Sequence, residues 1–319
     1  MILTWTGSAG LHIASEGGAL LINPFVTLQG GETIITLEDI YSIMNGGGTF
    51  ERPGSGQTED AGAGYPDAGD DGAAPCPIFA TDASFMHLFF AQQLLNDVHS
   101  TLFCSREAAA LLGDFLEEED LVVSVRPGQA LSLPGMKVRV LQGGSADEKS
   151  AYSRKGGRAG RAAGNGSKDG EGRPGREEGK SAAGSDRRSS VLKNAKNLPF
   201  LHWAKRTFPE SSDPLALCIE AEDRQILVLN DLRLPASFAQ WPAEPDLLVM
   251  PCQVQGDLAG MARETLEHTE PEHILLTHFD DTCPPVSKHM DLSPLAKMLR
   301  EEHPDIHVVK PKAGKALKF

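Results

Sequence analysis

Short apolar runs, separated by glycine-rich turns, open the chain. This pattern is typical of strands in a meander, and the runs are Ile2–Trp5, Gly10–Ala14 and Ala19–Ile22. Farther along, apolar positions recur at helical spacing. They predict helices over 37–43, 87–97 and 106–115, with brief strands at 77–80 and 101–104. The first third of the chain therefore mixes short strands with helices.

Strands dominate the remaining apolar pattern as well. The predicted strands are 121–125, 130–133, 137–141, 215–221, 225–228, 247–250, 273–276 and 307–310. Two of them form a predicted hairpin around Glu222-Asp223-Arg224. Helices are predicted at 257–268 and 292–302. Two sheets covered by helices would bury such a set economically, which indicates a mixed α/β (α+β) fold.

Two segments have a composition that cannot support a packed core. Residues 46–77 are rich in Gly, Pro, Asp and Ala, and residues 144–190 in Gly, Ala, Ser, Arg and Lys. Neither segment can bury enough apolar surface to offset the entropy of an ordered chain. We predict that both are disordered insertions in a single domain spanning 1–319. The second segment has eleven basic and seven acidic residues between Ser145 and Ser190, so a solvated linker is favoured over a site for an acidic partner such as RNA.

Charge and composition exclude several classes of function. The formal net charge is −14, which disfavours nucleic acid and anionic membranes as partners. No apolar run is long enough to span a membrane, and the N-terminus lacks the basic and apolar regions of a signal peptide. The five cysteines are scattered, without a C-x-x-C pair, which predicts a reducing, cytoplasmic setting. The phosphate-binding G-x-x-x-x-G-K-[ST] loop is absent from the sequence, and we expect no organic cofactor.

Three polar residues follow predicted strands at separate places in the chain. They are His87, Asp231 and His278. Residues at strand ends are presented at the rim of a sheet, and two histidines with one carboxylate are a suitable ligand set for Zn²⁺. Each residue also has a structural interpretation: His87 at a helix start, Asp231 capping the turn before Leu232, and His278 as a satisfied polar residue. The residue types alone leave these alternatives open.

Several blocks of the chain resemble, in order and spacing, the metallo-β-lactamase superfamily of metal-dependent hydrolases. The opening hairpin ends in Ile22-Asn23-Pro24, similar to an Ile-Asp-Pro sequence in that family. The further matching blocks are Pro77–Leu112, Val138–Ser145, Leu227–Asp231 and Ile274–Pro285. The resemblance implies a four-layer αββα sandwich with metal ions at the rim between the sheets. It also implies hydrolysis of an ester, amide or phosphodiester by a metal-bound water.

The metal-binding loop that this resemblance implies has lost most of its ligands. Family members carry Thr-His-x-His-x-Asp-His, whereas this chain reads Thr81-Asp82-Ala83-Ser84-Phe85-Met86-His87. The first site keeps none of its histidines, because Asp82, Ser84 and Ser145 stand in their places. The second site keeps His87, Asp231 and His278 and loses its aspartate to Met86. The metal ligands implied are therefore His87, Asp231 and His278, with Asp231 and Asp82 as the candidate catalytic residues.

Three functions follow from these observations. The first is a metal-dependent hydrolase with an impaired, at most mononuclear site, holding one Zn, Mn or Fe ion and acting on a small molecule, with Asp82 or Asp280 assisting. The second is a catalytically inactive pseudoenzyme that binds a ligand or a protein. The third is an interaction protein that uses the two insertions as tethers. Elemental analysis of the purified protein distinguishes the first from the second.

Overall fold

The computed structural model describes most of the chain outside the two low-complexity segments. The described residues are 1–25, 37–44, 76–98, 100–113, 121–144, 207–208, 213–254, 256–280 and 289–319. Apart from residues 76–77 and Gly144, the predicted insertions lie outside these ranges, and so does Ser145. The prediction that they are disordered insertions in a single domain therefore stays a prediction.

The first sheet has seven strands in the order β14-β1-β2-β3-β4-β5-β6. Its strands are β1 (Ile2–Gly7), β2 (Gly10–Ser15), β3 (Gly18–Ile22), β4 (Ile78–Ala80), β5 (Thr101–Cys104), β6 (Leu121–Ser124) and β14 (Ala316–Lys318). The pairs from β14 to β3 are antiparallel, whereas β3, β4, β5 and β6 run parallel. The carboxyl ends of the parallel strands therefore lie at one edge of this sheet.

The second sheet repeats this pattern with the order β7-β8-β9-β10-β11-β12-β13. Its strands are β7 (Ala130–Leu133), β8 (Met136–Gln142), β9 (Leu215–Ala221), β10 (Arg224–Val228), β11 (Leu247–Pro251), β12 (His273–Thr277) and β13 (His307–Val309). The pairs from β7 to β10 are antiparallel, and β10 to β13 are parallel. Both sheets thus join an antiparallel meander to a parallel half.

Three buried clusters show how the layers stack. Leu11, Ile22 and Phe79 of the first sheet pack with Val140 and Leu217 of the second in one apolar cluster between the sheets. Burial of such side chains contributes roughly 25 cal/mol per Å² of apolar surface removed from water. Two further clusters lie on the outer faces of the sheets, each against helices. The architecture is the four-layer αββα sandwich expected from the sequence.

Five helices within the described ranges lie on these outer faces or at the rim. They are α1 (Leu37–Met44), α2 (Phe85–Val98), α3 (Arg106–Leu112), α4 (Leu258–Leu266) and α5 (Ser293–Glu302). Leu88, Ala91 and Leu95 of α2 are buried in the cluster outside the first sheet. Met261 of α4 and Leu295 of α5 are buried outside the second. Among the described residues, no helix is long and apolar enough to cross a membrane.

Every predicted strand in the described ranges is present, but two elements were not predicted. Strand β14 is only three residues long and pairs with β1 at the other end of the chain (Leu3↔Leu317), so no local pattern marks it. A 3₁₀ turn at Phe238–Gln240 was also not predicted from the sequence. Helix α2 begins at Phe85, two residues before the predicted start at His87. His87 therefore lies in the first turn of the helix rather than at its first residue.

Candidate functional site

The loop between β4 and α2 carries Asp82 and His87 into the rim. The side chain of Asp82 accepts a hydrogen bond from the backbone amide of Ser84 (2.8 Å), which forms a turn immediately before the helix. One turn on, Nδ1 of His87 lies 2.8 Å from Oδ1 of the same Asp82 carboxylate. Both side chains are buried. A single aspartate therefore fixes both the turn before the helix and the orientation of the imidazole.

Asn23, at the end of β3, holds the beginning of this loop. Its backbone is left-handed (φ 46°), a conformation that asparagine tolerates better than most residues. Its Oδ1 accepts a hydrogen bond from the Thr81 amide (2.8 Å), and its Nδ2 donates one to Thr81 Oγ1 (2.9 Å). The Thr81 carbonyl in turn accepts from the amide of Leu215 at the start of β9 (2.6 Å). The loop is therefore tied to both sheets.

His278 reaches the same point from the other sheet, directly after β12. Its backbone is left-handed (φ 54°), and its amide donates to the Ser8 carbonyl (2.8 Å). The Ser8 carbonyl also accepts from Nε1 of Trp5 (3.0 Å), and the Ser8 amide donates to Oδ2 of Asp280 (3.1 Å). The β1–β2 turn therefore holds the loop that carries His278.

The two imidazoles meet head to head across the gap between the sheets. Nε2 of His87 lies 3.0 Å from Nε2 of His278, and the ring centroids are 5.3 Å apart. For a given Nε2–Nε2 distance, the ring centroids are farthest apart when each Nε2 points straight at the other. The observed centroid separation is close to that maximum. Each Nε2 therefore points almost directly at the other. The geometry is that of an N–H···N hydrogen bond between the rings.

The groups on either side place a hydrogen on Nδ1 of His87 and keep His278 neutral. Burial opposes ionisation of Asp82, but the His87 imidazole and the hydrogen bonds from Ser84 outweigh it and hold the pKa of Asp82 at about 2. An ionised carboxylate only accepts, so Nδ1 of His87 carries a hydrogen. Burial, reinforced by His87, lowers the pKa of His278 to about 3, so this ring is neutral. Its Nδ1 lies 3.0 Å from the Thr277 hydroxyl, which completes a chain from Asp82 to Thr277.

Asp231, the third predicted ligand, binds a neighbouring residue of its own loop. Its Oδ1 accepts from the backbone amide of Arg233 (2.9 Å), and its Oδ2 pairs with the Arg233 guanidinium. These contacts close a turn of the kind that aspartate commonly caps. The structure thus joins Asp82, His87 and His278 in one network, whereas Asp231 is engaged locally.

The comparisons with known proteins give a match at the level of structure. No protein-family profile matches the chain, and no curated protein matches it by sequence. Igni18, a metallo hydrolase from Ignicoccus hospitalis, is 13% identical, with a TM-score of 0.58 over 100% of this chain and 98% of its own. YhfI of Bacillus subtilis, a metallo-β-lactamase fold protein, is 12% identical, with a TM-score of 0.51 over 99% of this chain and 98% of its own.

The chain has the metallo-β-lactamase fold. Zn²⁺-bound PqqB from Methylobacterium extorquens also superimposes on it, with 12% identity, a TM-score of 0.51 and full coverage of both chains. The fold expected from the sequence is therefore confirmed. At these identities the likeness carries the fold alone, so the activity has to be argued from the site.

The side chains of this metallo-β-lactamase-fold rim do not fit a metal ion as they are arranged. Two imidazoles that share one ion point their ring nitrogens at a common position about 2.0–2.1 Å from each. Here the Nε2 atoms of His87 and His278 point at each other, and the Asp231 carboxylate is held by Arg233. In the described ranges, no group of three or more His, Cys, Asp or Glu side chains is placed to hold an ion. The ligand set His87, Asp231 and His278 stays a prediction.

Sequence reasoning missed the residues that orient the site. Thr277, Ser8 and Arg233 make these contacts and were not singled out. Arg233 had a visible signal, since a base two residues after Asp231 can reach its carboxylate. Ser8 had none, because its contact with His278 joins residues that are 270 positions apart. The side chain of Met86 and all of Ser145 lie outside the described structure.

Proposed function

We propose that this chain is a metallo-β-lactamase-fold pseudoenzyme, a binding module for a small molecule or a protein that does not catalyse metal-dependent hydrolysis. The observation that carries the proposal is the head-to-head contact of His87 and His278. Metal-dependent hydrolysis needs an ion that acidifies a bound water. Here the two imidazole nitrogens that would bind the ion satisfy each other.

The residues around the pair support this proposal. Asp82 takes the place of a metal-binding histidine in the resemblance, and it holds Nδ1 of His87. Both rings are buried, and each of their nitrogens has a polar neighbour: Asp82 at Nδ1 of His87, Thr277 at Nδ1 of His278, and the other ring at Nε2. Buried polar groups are stable in a core only when their hydrogen bonds are satisfied. The network therefore serves the fold without an ion.

One observation favours a second candidate, the mononuclear hydrolase. Metal-binding imidazoles commonly donate their second N–H to a carboxylate, as His87 does to Asp82. In this alternative one Zn, Mn or Fe ion is held by His87, His278 and Asp231, and the substrate is a small molecule. The ion would require both rings to turn and Asp231 to leave Arg233. The first candidate needs no such rearrangement.

Elemental analysis combined with zinc titration separates the two candidates. The protein is purified without chelator, and Zn, Mn and Fe per chain are measured for wild type, His278→Gln and Asp231→Ala. The pseudoenzyme predicts far less than one equivalent in all three, and no saturable heat on calorimetric addition of ZnCl₂. One equivalent of metal in wild type that is lost in both variants would overturn it in favour of the hydrolase.

A further inference from the structure

On one side of the sandwich, both sheets end in strands that have no second neighbour within the described part of the chain. They are β6 at the end of the first sheet and β7 at the end of the second, and residues 125–129 join them directly. An edge strand exposes backbone N–H and C=O groups that can pair with a strand of another molecule. The surface formed by residues 121–135 is called the β6–β7 side below.

The β6–β7 side lacks the charges that usually protect such edges. Arg126 is the only charged residue among these fifteen, whereas 23% of the whole chain is charged, which corresponds to about three in a segment of this length. Its prolines, Pro127 and Pro134, lie in the turns that follow the two strands rather than in the strands. Lysine, proline and inward-pointing charges are the common means of blocking an exposed edge. Both strands are therefore open to pairing.

The opposite side of the sandwich carries the protection that the β6–β7 side lacks. There the sheets end in β13 and β14, and residues 307–319 include no acidic residue but four lysines, all exposed. Lysines on an edge strand discourage pairing with another molecule. One chain thus protects one pair of edges and leaves the other pair bare, which favours a contact on the bare side.

The apolar layer between the sheets also reaches the surface on the β6–β7 side. Phe103 of β5 stacks on the buried Phe79 (ring centroids 4.9 Å apart) and lies beside Val123 in the register of β5 and β6. Val122 packs on the outer cluster, so its neighbours Leu121 and Val123 point towards the layer between the sheets. They are 58% and 40% exposed, two of the four large hydrophobic residues exposed in the described ranges. Such an exposed apolar strip is typical of a protein contact.

Symmetry and charge favour a second copy of the chain as the partner. A foreign strand could pair with only one of the two edges. A second copy related by a two-fold axis perpendicular to the sheets would pair β6 with β6 and β7 with β7 together. Both pairings are antiparallel, because such an axis reverses the direction of a strand. Antiparallel pairing brings Arg126, after β6, towards the start of the other β6, which Glu117-Glu118-Glu119-Asp120 precedes in the sequence.

We propose that the β6–β7 side is the contact surface between two copies of the chain, paired antiparallel about a two-fold axis. Opposed residues of an antiparallel pair share one face of the sheet. A register centred on Val123 therefore places this residue across from its own copy and Leu121 across from Val125 of the other copy. The two open apolar layers then cover each other. The proposal does not depend on the function proposed for the histidine pair.

Sedimentation velocity of the full chain, over about 1–200 µM to cover the range of small interfaces, tests this proposal. We expect the sedimentation coefficient to rise from the monomer to the dimer value. Val123→Lys sets two like charges opposite each other, so it is expected to raise the dimer dissociation constant at least about tenfold. Val308→Lys is the matched control, because Val308 is similarly exposed (43%) on β13, at the protected side. It is expected to leave the dissociation constant unchanged.

A Val123→Cys variant tests the same contact without adding a charge. Cysteine is no larger than valine, and position 123 is exposed, so the fold is retained. The two introduced thiols would face each other across the two-fold axis. Under mild oxidation we expect a covalent dimer that a reducing agent reverses, whereas wild type and Val308→Cys stay monomeric on a non-reducing gel.

Three results would each overturn the proposal. The first is a wild type that stays monomeric at every concentration. The second is a dimer that Val123→Lys leaves intact or that Val308→Lys weakens equally. The third is equal cross-linking of Val123→Cys and Val308→Cys.

Discussion

Asp82 connects the start of α2 to the histidine pair, and its carboxylate is the residue-level feature most open to test. Asp82→Asn keeps the size of the side chain but replaces the ionised acceptor facing Nδ1 of His87. Because a buried donor is left with a weaker or mismatched partner, we expect the free energy of unfolding to fall by about 2 kcal/mol. Urea denaturation followed by circular dichroism measures this change.

Asp231→Asn is the matched control for that substitution. The Asp231–Arg233 pair is local and partly exposed, and the amide still accepts from the Arg233 backbone, so we expect a loss below about 1 kcal/mol. An equal or larger loss in this control would show that Asp231 has a role in the core network that the observed contacts do not explain.

His12, in the middle of β2, gives the structure a predictable sensitivity to acid. Its ring is buried, and burial lowers the pKa of His12 to about 4. In the unfolded state the pKa of His12 is near its ordinary ~6.5, so the unfolded chain binds the proton more readily. The contribution of the neutral ring to stability is therefore fully present above pH ~6.5 and is lost as the pH falls towards 4.

The His12→Gln variant should reduce this acid loss. Between pH 7 and pH 5 the wild type is expected to lose about 2 kcal/mol more than the variant. Chemical denaturation of both proteins at the two pH values measures the difference. Equal losses would contradict the assignment of a buried, neutral imidazole at this position.

At the scale of elements, the turn of the β2–β3 hairpin lies against the turn of the β7–β8 hairpin. Gly135 has a left-handed backbone (φ +70°), and a Cβ there would lie 2.6 Å from the backbone of Gly17. Gly135→Ala is therefore expected to lower the free energy of unfolding by about 3 kcal/mol. Alanine is strained in the left-handed backbone conformation, and its Cβ would clash with Gly17. Thermal or urea unfolding gives the value.

Gly128→Ala is the control for that turn. Gly128 also has a left-handed backbone (φ +92°), but a Cβ there meets nothing within 4 Å. Only the conformational cost of about 1 kcal/mol applies. If the two variants were equally destabilised, the contact between the hairpins of the two sheets would contribute nothing to stability.

The sequence predicts elements well where the signal is local, and less well where it is not. Strands such as β9 and β5 were placed at their observed bounds, because their apolar runs are bounded by turn residues. The start of α2 was missed by two residues, since it follows a turn that the Asp82 side chain closes on the amide of Ser84. Of the site, the residue types were predictable. Their head-to-head arrangement was not, because it depends on the left-handed backbone of His278 and on Ser8, far away in the chain.

At the scale of the whole molecule, the segment between β8 and β9 can be tested for its contribution to the fold. Gln142, at the end of β8, pairs with Leu215, at the start of β9, so the two ends of the connection are neighbours. Phe208 and Asp213 contact the core and the start of α3, so a deletion has to stop before them. Residues 146–190, within the predicted insertion, meet this condition.

Replacing 146–190 with a short Gly/Ser linker is expected to leave the fold intact. A shorter connection between neighbouring strands loses less entropy when the loop closes. The free energy of unfolding should therefore hold or rise by about 1 kcal/mol. Circular dichroism and urea denaturation measure both properties. If the segment is instead an interaction tether, a pull-down that succeeds with the full chain will fail with this variant. Loss of the fold would contradict the prediction that the segment is an insertion.

The central claim about the molecule is that His87 and His278 bind each other rather than a metal ion. Nitrogen-15 NMR of histidine-labelled protein, with and without one equivalent of ZnCl₂, tests it most directly. We predict a scalar coupling between the two Nε2 atoms across the hydrogen bond, and spectra that zinc leaves unchanged. A shift of both Nε2 resonances on addition of zinc, with loss of that coupling, would contradict it.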